Sequence, residues 1–211
     1  MSIVGVAFFI AFFGALGLTL FRNPLFGLYT YVAVFYLHPP SRWWGALLPD
    51  LRWSLLAAAV TILAIWLRAP KETGERTRWL SLGPVRVMIA FVAWFWLTYL
   101  WALDREQHFP AAVMLTKYLV VFYMVYRLVD TPAKVRTFLL VHAAGCLYLG
   151  WLGLSADASG RLDGVGGPGI DDSNTLGMQL ATAVVTTAML LLRATPAIWL
   201  LGAASIALSL N

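Results

Sequence analysis

Apolar residues run through this chain in long unbroken stretches, near 3–20, 25–37, 54–67, 85–103, 110–126, 137–155 and 175–192, with an incomplete eighth at 196–211. Short polar segments separate them. The stretches lack the apolar–polar alternation of a membrane β-strand. Continuous runs approaching the roughly 20 residues needed to cross a bilayer predict membrane helices instead, the one open structure whose backbone satisfies its own hydrogen bonds in lipid. The pattern predicts an all-α, polytopic transmembrane helical bundle of about seven to eight spans, with residues 1–211 forming one transmembrane domain. The stretch 25–37 is short for a crossing, so it either extends toward Trp44 or re-enters the face it left.

Composition narrows the class further. Hydrophobic residues make up 61% of the 211 and charged residues 12%, with a mean hydropathy of +0.77. Soluble domains sit at about 45–50% apolar and about 25% charged, so this chain has half the charge needed to cover a soluble surface. A water-soluble domain and a disordered chain are both excluded. The net charge of +5 would suggest nucleic acid in a soluble protein. Here the basic residues cluster in loops between spans, and none lies in a nucleic-acid module, so no nucleic-acid partner is expected. Residues 1–5 carry no positive charge and no small-residue cleavage site follows, so the first stretch is expected to be a retained span rather than a signal peptide.

The basic residues also predict sidedness. Arg22, the segment 68–86 (Arg68, Lys71, Arg76, Arg78, Arg86), the segment 127–136 (Arg127, Lys134, Arg136) and Arg193 read as cytoplasmic. Segments 38–53, 104–109 and 156–174 then fall outside. Strict alternation puts the N-terminus outside as well; a re-entrant 25–37 would put it inside. Trp43, Trp44, Trp53, Trp66, Trp79, Trp101 and Trp151 lie at predicted span ends, where an amphipathic indole suits the headgroup layer. The apolar stretch 196–211 has no polar flank after it, and on that ground the chain is expected to be the N-terminal part of a longer protein.

Candidate chemistry concentrates in the outside Gly-rich loop 156–174, with Gly160, Gly164, Gly166, Gly167 and Gly169. Glycine permits positive φ and close backbone approach, so such a loop presents several N–H groups to an anion. Arg161 adds a planar cationic fork suited to phosphate or carboxylate. Asp171, Asp172, Ser173 and Asn174 follow as good N-caps for the next helix, whose N-terminus itself favours anions. The alternative is an ordinary turn ahead of a well-capped helix. Asp171 and Asp172 make a weak cation site, since adjacent carboxylates at a helix start point apart; capping is favoured, and no metal site or cofactor is expected. Lys117, inside the stretch 111–126, is an intramembrane cation and so either a functional residue or one whose stem snorkels to the interface. Thr175, Gln179, Thr182 and Thr186 share one helix face, serving helix packing or lining a cavity. Cys146, the single cysteine, reads as core packing, and His38, His108 and His142 as structural or interfacial.

Several short motifs occur in the order found in one bacterial family. Arg22-Asn23-Pro24-Leu25-Phe26-Gly27-Leu28 resembles an Arg-x-Pro-x-x-Gly-Leu start of the second span, and Pro39-Pro40 the proline site after it. Trp101-Ala102-Leu103-Asp104 resembles a Phe-Ala-Leu-Asn ending of the fourth span, and Lys117 falls where that family has a lysine. Arg161-x-x-Gly164, a Gly/Pro turn and Ile170-Asp171-Asp172-Ser173-Asn174 resemble Arg-x-x-Gly-Pro-Pro-Gly-Ser-Phe-Ile-Glu-Asp-Asn-Asn; Val165–Gly169 replaces the double proline and Asp163 an aromatic. The family is the O-antigen ligase and polymerase superfamily, within it the exosortase-associated O-glycosylation ligases, and the resemblance covers residues 20–192. It implies a metal-independent membrane glycosyltransferase of the bacterial inner membrane. Its members move a glycan from an undecaprenyl-diphosphate carrier to an acceptor on the outer face. By this resemblance Arg161 is the catalytic cation, with Gly164, Asp172, Asn174 and Lys117 binding substrate. The essential histidine of the family lies on a C-terminal outside loop beyond these residues. The rival readings are a transporter or flippase for a lipid-linked saccharide, and a non-catalytic scaffold of an export system.

Overall fold

The computed structural model describes residues 2–68, 79–155, 162–167, 169–170 and 172–191. Seven α-helices lie among them: α1 Ile3–Phe21, α2 Leu25–Leu37, α3 Trp53–Leu67, α4 Gly83–Thr98, α5 Arg105–Leu128, α6 Pro132–Ser155 and α7 Ser173–Leu191. Short 3₁₀ turns occupy Pro39–Ser41, Trp79–Ser81 and Tyr99–Trp101, and no strand occurs among the described residues. The expected all-α class holds, but the expected number of full crossings does not. Among the described residues, four helices are long and apolar enough to cross a membrane: Ile3–Phe21, Gly83–Trp101, Arg105–Leu128 and Pro132–Ser155. With 13 and 15 residues, α2 and α3 reach only about 20–23 Å at helical rise, short of a hydrocarbon core about 30 Å thick. The sequence of α7 is diluted by Ser173, Asn174, Gln179 and a run of threonines. The stretch 196–211 lies outside the described residues.

The helices begin where caps allow, not where hydropathy rises. Asp104 Oδ1 accepts from Gln107 N at 3.0 Å and starts α5 five residues before its apolar stretch. Thr131 Oγ1 accepts from Lys134 N at 3.3 Å and, with Pro132 in the first turn, starts α6 ahead of its stretch.

The short helix α2 is the hub, packed against α1, α3, α5 and α6. Its Leu28, Val32 and Tyr36 join Ala58, Ile65, Met124, Cys146 and Leu149 in the main core, which Val165, Ile170, Leu176 and Ala183 complete. A second cluster sets Phe12, Leu16 and Val34 around Trp53. Glycine makes the hub possible. A Cβ on Gly27 would lie 2.1 Å from Thr61 Oγ1 and 2.6 Å from Thr19 Cγ2. Both threonines bond back to their own helices, at Ala57 O (2.6 Å) and Ala15 O (2.7 Å), so the close contact leaves no polar atom open. Large apolar side chains face outward instead, including Ile3 at 86%, Val87 at 69% and Met178 at 69% exposure. An apolar exterior on an all-helical chain is the surface of a membrane protein.

Contacts at the ends of the helices fix their relative directions. Ser2 Oγ donates to Trp44 O at 3.4 Å, and an Arg68 guanidinium N–H donates to Arg22 O. So α1, α2 and α3 run up, down and up through the bundle. The N-terminus shares a side with segment 38–52, while Arg22 and Arg68 share the other. With basic loops inside, a cysteine replacing exposed Gln107 should react with a membrane-impermeant maleimide in intact cells. One replacing exposed Ala133 should react only after permeabilisation. Native Cys146 is buried and should give little background. The opposite labelling pattern would invert the assigned sides.

Candidate functional site

Two polar assemblies stand out, one at the Trp44 end of the bundle and one within it. The first is built where α2 ends. His38 adopts a left-handed backbone, φ 38° and ψ 71°, which stops the helix ahead of Pro39. Its Nδ1 lies 2.9 Å from Ser41 Oγ, and Ser41 Oγ donates to His38 O at 3.1 Å. Arg42 Nε donates to Leu37 O at 2.9 Å, and an Arg42 terminal N–H donates to Val165 O at 2.9 Å. The same guanidinium stands 5.5 Å from the Tyr148 ring centre. Arg42 thereby clips the Gly-rich loop to the end of α2 and the side of α6.

The loop is shaped by its glycines. Gly164 and Gly169 take positive φ, 77° and 91°. Ile170 N donates to Gly167 O at 2.8 Å and closes a turn, with Val165 and Ile170 buried beneath it. A Cβ on Gly166 would sit 2.3 Å from Ile170 O, and one on Gly167 2.6 Å from the His38 ring. Only glycine lets the turn close and the ring seat against it. Gly169 faces Met114 and Tyr118 of α5, each 3.5 Å from where its Cβ would be. Lys117, exposed on α5, is the residue before Tyr118.

The acidic residues serve the helix start. Asp172 Oδ1 accepts from Asn174 N at 2.8 Å and Thr175 N at 3.1 Å, while Oδ2 accepts from the Thr175 hydroxyl at 2.9 Å. Asp163 Oδ1 accepts from Ser173 N at 3.0 Å. Three of the open N–H groups of α7 are thus answered by carboxylates; the role was anticipated for Asp172 but not for Asp163. Asn174 is exposed. The structure brings Gly164, Asp172 and Asn174 together at one end of the bundle, with Lys117 on the neighbouring helix. Arg161, Pro168 and Asp171 lie outside the described residues. Arg42, in the outside segment 38–53, is the cation among the described residues that bonds to the loop; its signal was its place just after the Pro39-Pro40 stop.

Burial, with the nearby Arg42 charge second, holds the His38 pKa below the usual histidine value of 6.5. A histidine that resists protonation when folded contributes stability that is full above about pH 6.5 and is lost as pH falls through its folded value. In detergent, wild-type Tm should therefore drop more between pH 7.5 and 5 than that of His38→Asn. Equal drops would mean that His38 is not held neutral.

The second assembly lies among α2, α6 and α7. Gln179 Nε2 donates to Tyr36 Oη at 2.6 Å, and Tyr36 Oη lies 2.5 Å from His142 Nδ1. His142 Nε2 is 3.2 Å from Thr182 Oγ1, which donates to Gln179 O at 2.7 Å. One proton arrangement satisfies all of these: Tyr36 donates to Nδ1 and His142 donates from Nε2–H to Thr182. Cys146 Sγ closes the ring, 3.7 Å from Tyr36 Oη and 3.6 Å from Gln179 O. Of the polar stripe on α7, Gln179 and Thr182 therefore tie the helix to its neighbours, and Thr186 bonds back to Thr182 O at 2.7 Å. Sequence reading found Gln179, His142 and Cys146 separately; nothing in their spacing joins them to Tyr36. Among the described residues, no group of three or more His, Cys, Asp or Glu side chains is placed to hold a metal ion.

Compared with known proteins, the chain matches no family model, no curated protein and no solved structure.

Proposed function

We propose that this protein is a membrane glycosyltransferase of the O-antigen ligase type. It transfers a glycan from an undecaprenyl-diphosphate carrier to an acceptor at the outer face of the bacterial inner membrane. The observation that carries the reading is the Gly-rich loop, directly after Arg161 in sequence, clipped by Arg42 to the end of α2 and the side of α6. The ordered motifs from Arg22 to Asn174 support it independently. Cleaving a sugar–diphosphate bond leaves negative charge on the departing diphosphate, and fixed cations with backbone N–H donors are what stabilises such charge. A lipid carrier delivers its headgroup at the membrane surface, where a loop at the end of a bundle meets it. The transport reading has less support: a path along α7 needs Gln179 and Thr182 unengaged, and both are held by the Tyr36–His142 network.

The test is the lipid-linked pool in source cells deleted for the gene. Undecaprenyl-diphosphate-linked glycan should accumulate on the outer leaflet, surface glycan should fall, and plasmid-borne wild type should reverse both. Accumulation on the inner leaflet would favour a flippase, and an unchanged pool would remove both readings.

A further inference from the structure

The end of α2 and the Gly-rich loop are joined twice at one corner. Arg42 bridges Leu37 O and Val165 O, each at 2.9 Å. One residue on from Leu37 and two on from Val165, the His38 ring packs on Gly167, in the room that a Cβ would take at 2.6 Å from the ring. His38 is the one non-glycine residue with positive φ among those described, a backbone strained for any Cβ. The two joints thus pair a fixed cation with a half-buried group that gains its charge in acid. Neither His38 nor Arg42 is bonded to a carboxylate among the described residues. On the loop side, Asp163 and Asp172 answer the N–H groups of Ser173, Asn174 and Thr175. From α6, Tyr148 lies under the guanidinium; from α5, Tyr118 stands beside Gly169, with exposed Lys117 before it. Ser41 Oγ can donate to the His38 ring or accept from it, so it serves either charge state. Arg42 is the charge that acts on the ring, and it acts against a proton there.

We propose that His38 and Arg42 form an acid-opened latch on the Gly-rich loop: a proton on His38 sets two cations at the same corner, and the loop comes away from the end of α2. The repulsion is relieved when the ring leaves Gly167 or the guanidinium leaves Val165 O, and either movement undoes a joint. A charged ring also draws water that its seat on Gly167 excludes. The sign follows from linkage. The docked loop favours the neutral ring, so docking is strongest above about pH 6.5 and weakens as pH falls. A single proton changes the ratio of open to docked loop by at most about tenfold per pH unit. The latch faces the side of the N-terminus and segment 38–52, outside by the basic-residue rule, so it responds to the pH of that compartment. It works in the same way whatever the loop binds, and so stands apart from the glycosyltransferase reading.

The experiment uses the purified full chain in lipid nanodiscs. Val165 is buried beneath the docked loop, and Val165→Cys puts a thiol of similar size there, whose reaction with a pyridyl disulfide reports undocking. Dividing its rate by that of exposed Gln107→Cys at each pH removes the titration of the thiol itself. The ratio should rise between pH 7.5 and 5 by up to about 30-fold, the ceiling for one proton on an open-state histidine of pKa about 6.5. With His38→Asn added, which tolerates left-handed backbone but does not titrate, the ratio should stay level across that range. With Arg42→Gln added instead, the loop should label faster than in the parent already at pH 7.5. A level ratio in the parent would overturn the latch, and so would a rise that persists with His38→Asn. Buried Cys146 guards against global unfolding. Labelling there that rises in step with Val165→Cys would mean that acid loosens the whole bundle, which would equally overturn a local latch.

Discussion

Arg161→Ala should lower glycan transfer by about 10²–10³-fold while leaving membrane abundance unchanged. A charge-assisted, two-pronged contact to a departing diphosphate strengthens as charge develops, and removing one such donor from a transition state typically costs that factor. Arg161→Lys keeps the charge but loses the planar fork, so it should recover only a small part of the rate. Asn174→Ala makes the contrast. Its backbone N–H already bonds to Asp172, and its side chain is exposed on the first turn of α7. It should change transfer little and stability by no more than about 1 kcal/mol, the usual scale for a helix-start residue. The readout is surface glycan in gene-deleted cells, with membrane levels checked by immunoblot. Full transfer by Arg161→Ala would leave the glycosyltransferase reading without its central cation.

Gly145→Ala should be strongly destabilising. The added methyl would lie 2.1 Å from Tyr36 Cδ2 and 2.3 Å from Cγ. A planar ring held by bonds of 2.5 and 2.6 Å to His142 and Gln179 has little freedom to yield. Either α2 and α6 separate, or the ring moves and its hydroxyl leaves both partners. Overpacking typically costs about 1–3 kcal/mol, and each lost intramembrane hydrogen bond about 0.6–2 kcal/mol. Together these approach the lower end of the about 5–15 kcal/mol that holds a typical fold. Tyr36→Phe keeps the ring and removes only the hydroxyl, so it should cost less. Thermal unfolding of purified protein in detergent ranks the three. A Gly145→Ala protein as stable as wild type would mean that the α2–α6 contact is looser than this geometry.

The helices were legible because lipid and caps act locally. Apolar runs mark what must leave water, and Asp172 marks where α7 can start; every predicted stretch among the described residues became a helix, though α5 and α6 begin at the Asp104 and Thr131 caps, ahead of theirs. The count of full crossings was less legible. Hydropathy records where apolar residues lie, but not whether neighbours on all sides cover a short helix, and α2 is covered on four. Capping by Asp172 was readable from the residue and its position. The clasp of Arg42 on Val165 O was not, since it joins residues 123 positions apart.

The sequence alone determined that this chain is all-helical and apolar on its outside, and that its one Gly-rich segment lies at a helix start. Those properties follow from side-chain transfer energies and from bonds within a few residues. Only the tertiary structure decided that the short α2 is the hub, that Tyr36, His142, Cys146, Gln179 and Thr182 close one hydrogen-bonded ring, and that His38 and Arg42 meet the loop at 162–170. Those depend on how closely helices approach. That distance is set where Gly27, Gly145 and Gly167 face Thr61, Tyr36 and His38 across the bundle, a pairing that no local pattern along the chain records.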